Sequence, residues 1–215
     1  MTNDPISLLL LMFALGMVPV FFILTTSFIK IAMVCILTRE SLGVQSVPPN
    51  IVIYSLSLIL AFYVMGPVYN QTYTTLSAAV MSNQPITPQL VITEFQKSTV
   101  PVKQFLIKHS SVNERTFFYQ SLKRFWSPQM LSDVKMDDLI IIVPAFVVSE
   151  ITEGFKIGFL VYLPSVIIDI IVSNILMAMG MMMMSPVTIS LPIKLLLFIS
   201  INGWHRLIQS LLGTY

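Results

Sequence analysis

The sequence predicts an all-α fold: hydrophobic helical hairpins with kinked or broken helices, associated with a membrane, and a small polar helical insertion. The first observation behind this prediction is composition, since 55% of the 215 residues are hydrophobic and only 10% are charged. Soluble domains are about 45–50% apolar and about 25% charged. The second observation is that the sequence contains long runs without a charged residue. A bilayer or a large apolar partner surface must cover what so small a chain leaves exposed.

The N-terminal region, residues 1–69, is predicted to form hydrophobic helices. Its apolar runs, Ile6–Leu37 and Ile51–Tyr69, are each long enough for the roughly 20 residues that a membrane helix requires, although Lys30 interrupts the first. The chain starts with an acid and no base, whereas a signal peptide has a basic n-region. We therefore interpret the first run as a retained helix.

The C-terminal region, residues 139–215, is predicted to hold further hydrophobic helices and a methionine-rich loop. Residues 139–201 are mostly apolar and have room for two or three helical segments. Internal prolines break or kink helices. The prolines expected to do so here are Pro144, Pro164, Pro186 and Pro192.

Between these regions, residues 70–138 read as a polar insertion of short amphipathic helices. Seven of its residues are basic and five are acidic. It is longer than the roughly 60 residues over which basic residues report orientation reliably. In the short loop predicted at Thr38–Asn50, Glu40 cancels the charge of Arg39. The side of the membrane on which each loop lies is therefore left open by these charges.

The most unusual segment is a run of four methionines, Met181, Met182, Met183 and Met184, between Gly180 and Ser185-Pro186. Methionine is flexible and polarizable, and one or two would be ordinary core filler. Four consecutive side chains cannot share one helix face, so a loop or a broken helix is predicted. A deformable apolar ring of this kind could gate a pore by excluding water, or it could be a packing element. Both interpretations fit the pattern.

Six charged residues lie in or beside the apolar stretches: Lys30, Glu150, Glu153, Lys156, Asp169 and Lys194. Charges at membrane depth cost about 2.5–3.5 kcal/mol on insertion scales, so they usually find partners. Either they snorkel from helix ends, or they form a structural charge network within or between subunits. Glu153 and Lys156 have the spacing of a helical pair. We expect Glu150 and Asp169 to meet Lys30, Lys194 or a cation of a partner subunit.

Chemistry-bearing motifs are missing from the sequence. There is no phosphate-binding, nucleophile-elbow or zinc-protease motif. His109, His205 and the single Cys35 have no metal-ligand spacing, so no catalytic residue, metal or cofactor is expected. The net charge of +2 argues against nucleic acid as a partner. The main alternative to a methionine-gated pore is a proton-coupled secondary transporter that uses Glu150 or Asp169. Against it, the sequence lacks the two repeated halves that are common in secondary transporters. A purely structural membrane anchor is a third class.

Two blocks of the chain carry a set of ordered motifs: Thr26–Ile31, Arg39–Gln45, Pro48–Asn50, Pro144–Glu150, Phe155–Phe159, Tyr162–Pro164, Ile168–Asp169, Met179–Pro186, Ile189–Leu195 and Gly203–Trp204. These motifs resemble those of the FliP/SpaP/SctR family, with the closest likeness to its SpaP-type injectisome members. The chain departs from the family's usual Tyr-Leu-Pro-Phe and Asp-Gly-Trp motifs at Ser165 and Asn202.

The resemblance implies a core subunit of the type III secretion export gate in the bacterial inner membrane. It implies a homo-oligomer, a pentamer in this family, with partner subunits of the SctS, SctT, SctU and SctV types and unfolded secreted proteins as substrates. Carried onto this sequence, it makes the methionine run the gasket of the gate. It also implies that much of the assembly, with the polar insertion, lies on the periplasmic side.

Overall fold

A computed structural model describes residues 5–44, 46–81, 88–131, 134–181 and 183–215, and these residues form helices and loops without a strand. The predicted all-α class is confirmed. The helices are α1 (Pro5–Thr25), α2 (Phe28–Ser41), α3 (Asn50–Met81), α4 (Pro88–His109), α5 (Val112–Phe125), α6 (Pro128–Leu131), α7 (Leu139–Ala178), α8 (Pro186–Ser200) and α9 (Gly203–Leu212).

The chain divides into two compact units that are interleaved in sequence. The first combines residues up to Ile29 with Met65–Glu150, and the second combines Lys30–Val64 with Ile151–Tyr215. The long helices α3 and α7 each contribute residues to both units. Neither unit is therefore a continuous piece of chain.

In the first unit, α4 packs against the start of α7. The Phe105 and Phe146 rings lie 5.9 Å apart, and Leu106 and Ile141 are fully buried. The backbone N–H of Ser111 donates to the Ser149 hydroxyl at 2.9 Å, joining the loop after α4 to α7. The amphipathic segments predicted in the insertion thus belong to longer helices. No residue of α5 is fully buried, and Val112, Phe117 and Phe125 are exposed.

In the second unit, helices α2, α3 and α9 share a hydrophobic core. Ile31 and Val34 of α2 belong to one buried cluster with Ile53 of α3 and with Leu207 and Leu211 of α9. Residues of α7 pack against the edge of this cluster. The second half of the long apolar helix is thereby anchored to the N-terminal region.

The expected helix breaks at Pro144 and Pro164 do not occur, because α7 runs without interruption through both. Apolar helices tolerate proline where neighbouring groups satisfy the freed backbone carbonyl. Pro186 does mark a boundary, since it is the first residue of α8, where its missing N–H costs nothing. Pro192 lies inside α8. Of the four prolines expected to break or kink a helix, only Pro186 lies at a helix boundary.

Within the part of the chain that the structure describes, two helical stretches, Asn50–Thr75 within α3 and the whole of α7, are long and apolar enough to cross a membrane. The number rises to four if the pairs α1–α2 and α8–α9 each count as one bent span. At 1.5 Å per residue, the 40 residues of α7 extend about 60 Å. The hydrocarbon core of a bilayer is about 30 Å thick. Lipid alone therefore cannot cover the apolar surface of α7.

Candidate functional site

The methionine run lies at the turn of a helical hairpin that α7 and α8 form. α7 ends at Ala178, and Gly180 adopts the left-handed conformation with φ of 74°. The Met181 N–H donates to the carbonyl of Leu176, and the Gly180 N–H donates to that of Met177. These two bonds form a Schellman motif, which fixes the direction in which a chain leaves a helix.

This turn presents its methionines outward. Met183 is fully exposed, while Met181 and Met184 are 41% and 47% exposed. Met182 lies outside the described residues. Water-facing methionine is unfavourable for an isolated chain, so these side chains are available to contact something else.

A charged cluster joins the two helices of the hairpin. The Lys194 ammonium donates to Asp169 Oδ2 at 2.6 Å, and the Ser190 hydroxyl donates to Asp169 Oδ1. Lys194 is buried and Asp169 is 33% exposed. Ser190 and Lys194 are four residues apart on α8, so they lie on one face and meet the same carboxylate. This cluster braces α8 against α7 below the methionine turn.

The other charged residues singled out from the sequence occupy different surroundings. Glu153 and Lys156 form an ion pair of 2.8 Å on the exposed face of α7. Lys30 is buried, and its ammonium lies 3.9 Å from the centroid of the Tyr215 ring. Glu150 is buried at the end of the first unit. The Glu153–Lys156 pair is therefore exposed to solvent, whereas Lys30 and Glu150 are buried inside the protein.

Arg39 lies in surroundings that the sequence does not predict. The predicted loop Thr38–Asn50 begins in fact after the last turn of α2, which places Arg39 in the protein interior at 8% exposed and Glu40 on the surface. The two charges therefore do not cancel. Arg39 Nη1 donates to the carbonyl of Pro48 at 3.2 Å and to Asn50 Oδ1 at 2.6 Å.

Gly154 and Gly158 of α7 have the G-x-x-x-G spacing, and both pack against α2 within the second unit. A Cβ at Gly158 would overlap the side chain of Leu37, and a Cβ at Gly154 would lie 3.1 Å from the sulfur of Met33. The motif is a close helix contact inside one subunit, as small residues at helix interfaces allow.

Among the described residues, no group of three His, Cys, Asp or Glu side chains is placed to hold a metal ion. Cys35 is a buried member of the hydrophobic core. The described side chains around the methionine run form a braced apolar turn.

Comparison with known proteins decides the family. The sequence profile of the FliP family matches residues 11–211. The chain belongs to the FliP family. The resemblance that the sequence motifs indicated is therefore confirmed over nearly the whole chain.

Relatives of this FliP-family chain carry names from bacterial secretion. It is 45% identical over 212 residues to the Yop proteins translocation protein R of Yersinia pestis, covering 99% of this chain and 97% of the relative. It is 40% identical to the virulence protein YscR of Salmonella typhimurium, covering 99% and 98%. It is 39% identical to the harpin secretion protein HrcR of Erwinia amylovora, covering 99% and 97%. None of these names points to a proton-coupled transporter.

Proposed function

We propose that this chain is a core, pore-forming subunit of the type III secretion export gate in the bacterial inner membrane, through which unfolded virulence proteins pass. The observation that carries the proposal is the methionine turn, held outward at the end of a hairpin that an ion pair braces. Membership of the FliP family and relatives named for translocation and secretion support it.

The methionine turn acts as the gasket of the gate. Several copies of the turn around an axis bring Met181, Met182, Met183 and Met184 together as an apolar constriction, which dewets and blocks ions. Unbranched thioether side chains repack around a moving polypeptide of any sequence. The Schellman turn and the Asp169–Lys194 pair hold the backbone in place while the side chains yield.

The charged residues form the structural part of the same assembly. Lys30, Glu150 and Lys194 are buried, and Asp169 is partly buried, which suits a framework that fixes the helices. Glu153 and Lys156 are exposed and available to a neighbouring subunit. The chain needs no catalytic group of its own in this role, and energy for export comes from other components.

The assembly is a homo-oligomer, a pentamer in the family that the sequence resembles, which joins SctS- and SctT-type subunits and is engaged by SctU and SctV types. Large apolar side chains along α7 remain exposed, as neighbouring subunits require. Heterologous contacts with an axial rise suit a pore-like helical assembly. Residues 70–138 lie on the periplasmic side as a separate polar region between the two hydrophobic ones.

Replacing all four methionines of the turn with alanine tests the gasket. Because the described ones are exposed, the assembled complex should still form, with an unchanged native mass. The apolar constriction should widen, so ion conductance across the membrane should rise while secretion continues. Conductance is measured in cells or planar bilayers that contain the assembled complex.

The matched control is replacement of Met130 by alanine, since this methionine is 66% exposed on α6, outside the turn. Conductance should stay at the level of the unsubstituted chain. Loss of assembly in the quadruple variant would mean that the turn is a packing element. An intact complex with an unchanged seal would refute the gasket.

A further inference from the structure

A cavity of about 540 Å³ lies within the second unit, where the end of α2, the segment after it, α8 and the start of α9 meet. Its size is within the range of roughly 300–1,000 Å³ typical of ligand pockets. The walls are mostly apolar and include Leu42, Val47 and Phe198. Its basic lining residues are Arg39 and His205.

Arg39 gives this cavity an incompletely satisfied cation. Its two hydrogen-bond acceptors, the Pro48 carbonyl and the Asn50 amide, are uncharged, and its Nε has no partner among the described residues. It forms no ion pair with a described carboxylate, although it is only 8% exposed. A buried charge without a counter-charge is costly, so the site favours an anion with acceptor oxygens.

The neighbouring cavity, of about 350 Å³, extends the same basic and apolar character. It shares Leu42, Phe198 and Gly203 with the first cavity. Arg206 is among its lining residues, as is Lys194, whose ammonium pairs with Asp169, and no described acidic residue lines either cavity. Together they offer apolar walls with basic groups, the combination found where anionic lipid headgroups bind between membrane helices.

The backbone around the first cavity suits the level of a membrane–water interface. α8 and α9 meet there at an angle of 61°, and Asn202 between them is left-handed with φ of 53°. Irregular backbone is not tolerated facing hydrocarbon, although it occurs where protein buries it or where it lines a cavity. Trp204, which lines the cavity, is a residue type enriched at membrane interfaces, the level at which phospholipid headgroups lie.

We propose that this cavity binds an anionic phospholipid. The phosphate accepts hydrogen bonds from the Arg39 guanidinium, and an acyl chain lies along Leu42 and Phe198. The lipid thus joins the turn after α2 to the α8–α9 junction and seals the subunit against the surrounding bilayer. The lining residues of this cavity do not include the methionine turn, so the lipid proposal does not depend on the gasket proposal.

Tryptophan quenching in lipid nanodiscs tests the proposal. The chain has two tryptophans, so the full-length Trp126→Phe protein reports from Trp204 alone. Brominated phosphatidylglycerol should quench Trp204 more than brominated phosphatidylcholine at the same mole fraction. The excess quenching should saturate at low mole fraction, as occupation of a site requires.

Arg39→Gln, in the same background, should shift the midpoint of the excess quenching about tenfold toward higher phosphatidylglycerol, as expected for loss of a charged hydrogen bond. Arg124→Gln is the matched control, because Arg124 is an exposed arginine on α5 in the other unit, and it should leave the midpoint unchanged. Arg39 also holds Pro48 and Asn50, so a second variant guards against misfolding.

That second variant is His205→Glu, which adds a negative charge to the cavity lining from an exposed position. It should weaken the excess quenching without disturbing the fold. Equal quenching by both brominated lipids would overturn the proposal and favour a carboxylate of a partner chain as the occupant. So would an unshifted midpoint in folded Arg39→Gln or His205→Glu protein.

Discussion

At the scale of single residues, burial decides which charges matter. Asp169 and Lys194 form one pair, but Lys194 is 4% exposed whereas Asp169 is 33% exposed. A charge left alone in the interior is far more costly than one that can reach water. The two partners are therefore not equivalent, and substitutions should reveal the difference.

We expect Asp169→Asn to lower the free energy of unfolding by about 3 kcal/mol, because it leaves the Lys194 charge buried without its carboxylate. Lys194→Met should cost about 1 kcal/mol, since Asp169 keeps its bond from Ser190 and some contact with solvent. Chemical unfolding of the detergent-solubilised protein measures both. Equal losses would contradict the asymmetry.

The exposed pair supplies the matched control for this prediction. Glu153→Gln should change the unfolding free energy by no more than about 0.5 kcal/mol, because exposed helical pairs contribute little. Charge reversal at Asp169 should be rescued in part by charge reversal at Lys194. No rescue would mean that Asp169 interacts with a different cation in the assembled protein.

Gly180 matters through its backbone rather than its contacts. A Cβ there would meet nothing within 4 Å, but φ of 74° disfavours any L side chain. Gly180→Ala should lower the unfolding free energy by about 1–2 kcal/mol. Gly66→Ala, at an equally open position inside α3, should be neutral or stabilising. Thermal unfolding of both variants provides the comparison, and equal effects would exclude backbone strain.

At the scale of elements, the contact between α2 and α7 organises the second unit. Gly154 and Gly158 are one helical turn apart, so both glycines present backbone to α2. A long apolar helix has many faces that could pack. The two glycines select the one that allows the closest approach.

Gly158→Ala should destabilise the protein by about 1–3 kcal/mol, because the new methyl group overlaps Leu37 in a packed interface. Leu37→Ala should relieve the overlap, so the double variant should lose less than the sum of the two single losses. Unfolding free energies of the four proteins in this cycle measure the coupling. If the two losses are additive, the methyl group at residue 158 does not interact with Leu37, and the helices have moved apart.

At the scale of the whole molecule, apolar surface exceeds what a bilayer can cover. α7 extends about 60 Å, twice the roughly 30 Å of hydrocarbon, and carries exposed apolar side chains from its first turn to its last, including Leu139, Phe155, Ile167 and Met177. α3, with 32 residues, extends about 48 Å. Long apolar helices of this kind require protein neighbours as well as lipid.

We therefore expect the detergent-solubilised protein, co-expressed with its companion subunits, to have a native mass several times the 24.2 kDa of one chain. Native mass spectrometry, which removes the micelle, measures it. The Met-to-Ala variant of the turn serves as a control that should assemble equally. A chain that stays monomeric under these conditions would contradict its role as a gate subunit.

The sequence by itself determined the all-α class, the family, and the methionine turn as the unusual segment. Composition limits what can cover the chain, and four methionines in a row between Gly180 and Pro186 cannot lie on one helix face. The Glu153–Lys156 pair followed equally from local spacing, because neighbours on one helix need no tertiary information.

Only the tertiary structure decided what depends on distant segments meeting. Pro144 and Pro164 suggested breaks, but α7 continues through them, because surrounding groups determine whether a proline interrupts an apolar helix. Arg39 seemed cancelled by its neighbour Glu40, yet α2 directs one inward and the other outward. The cavity beside Arg39 forms where α2, α8 and α9 converge, and a contact across some 160 residues has no local signature in the sequence.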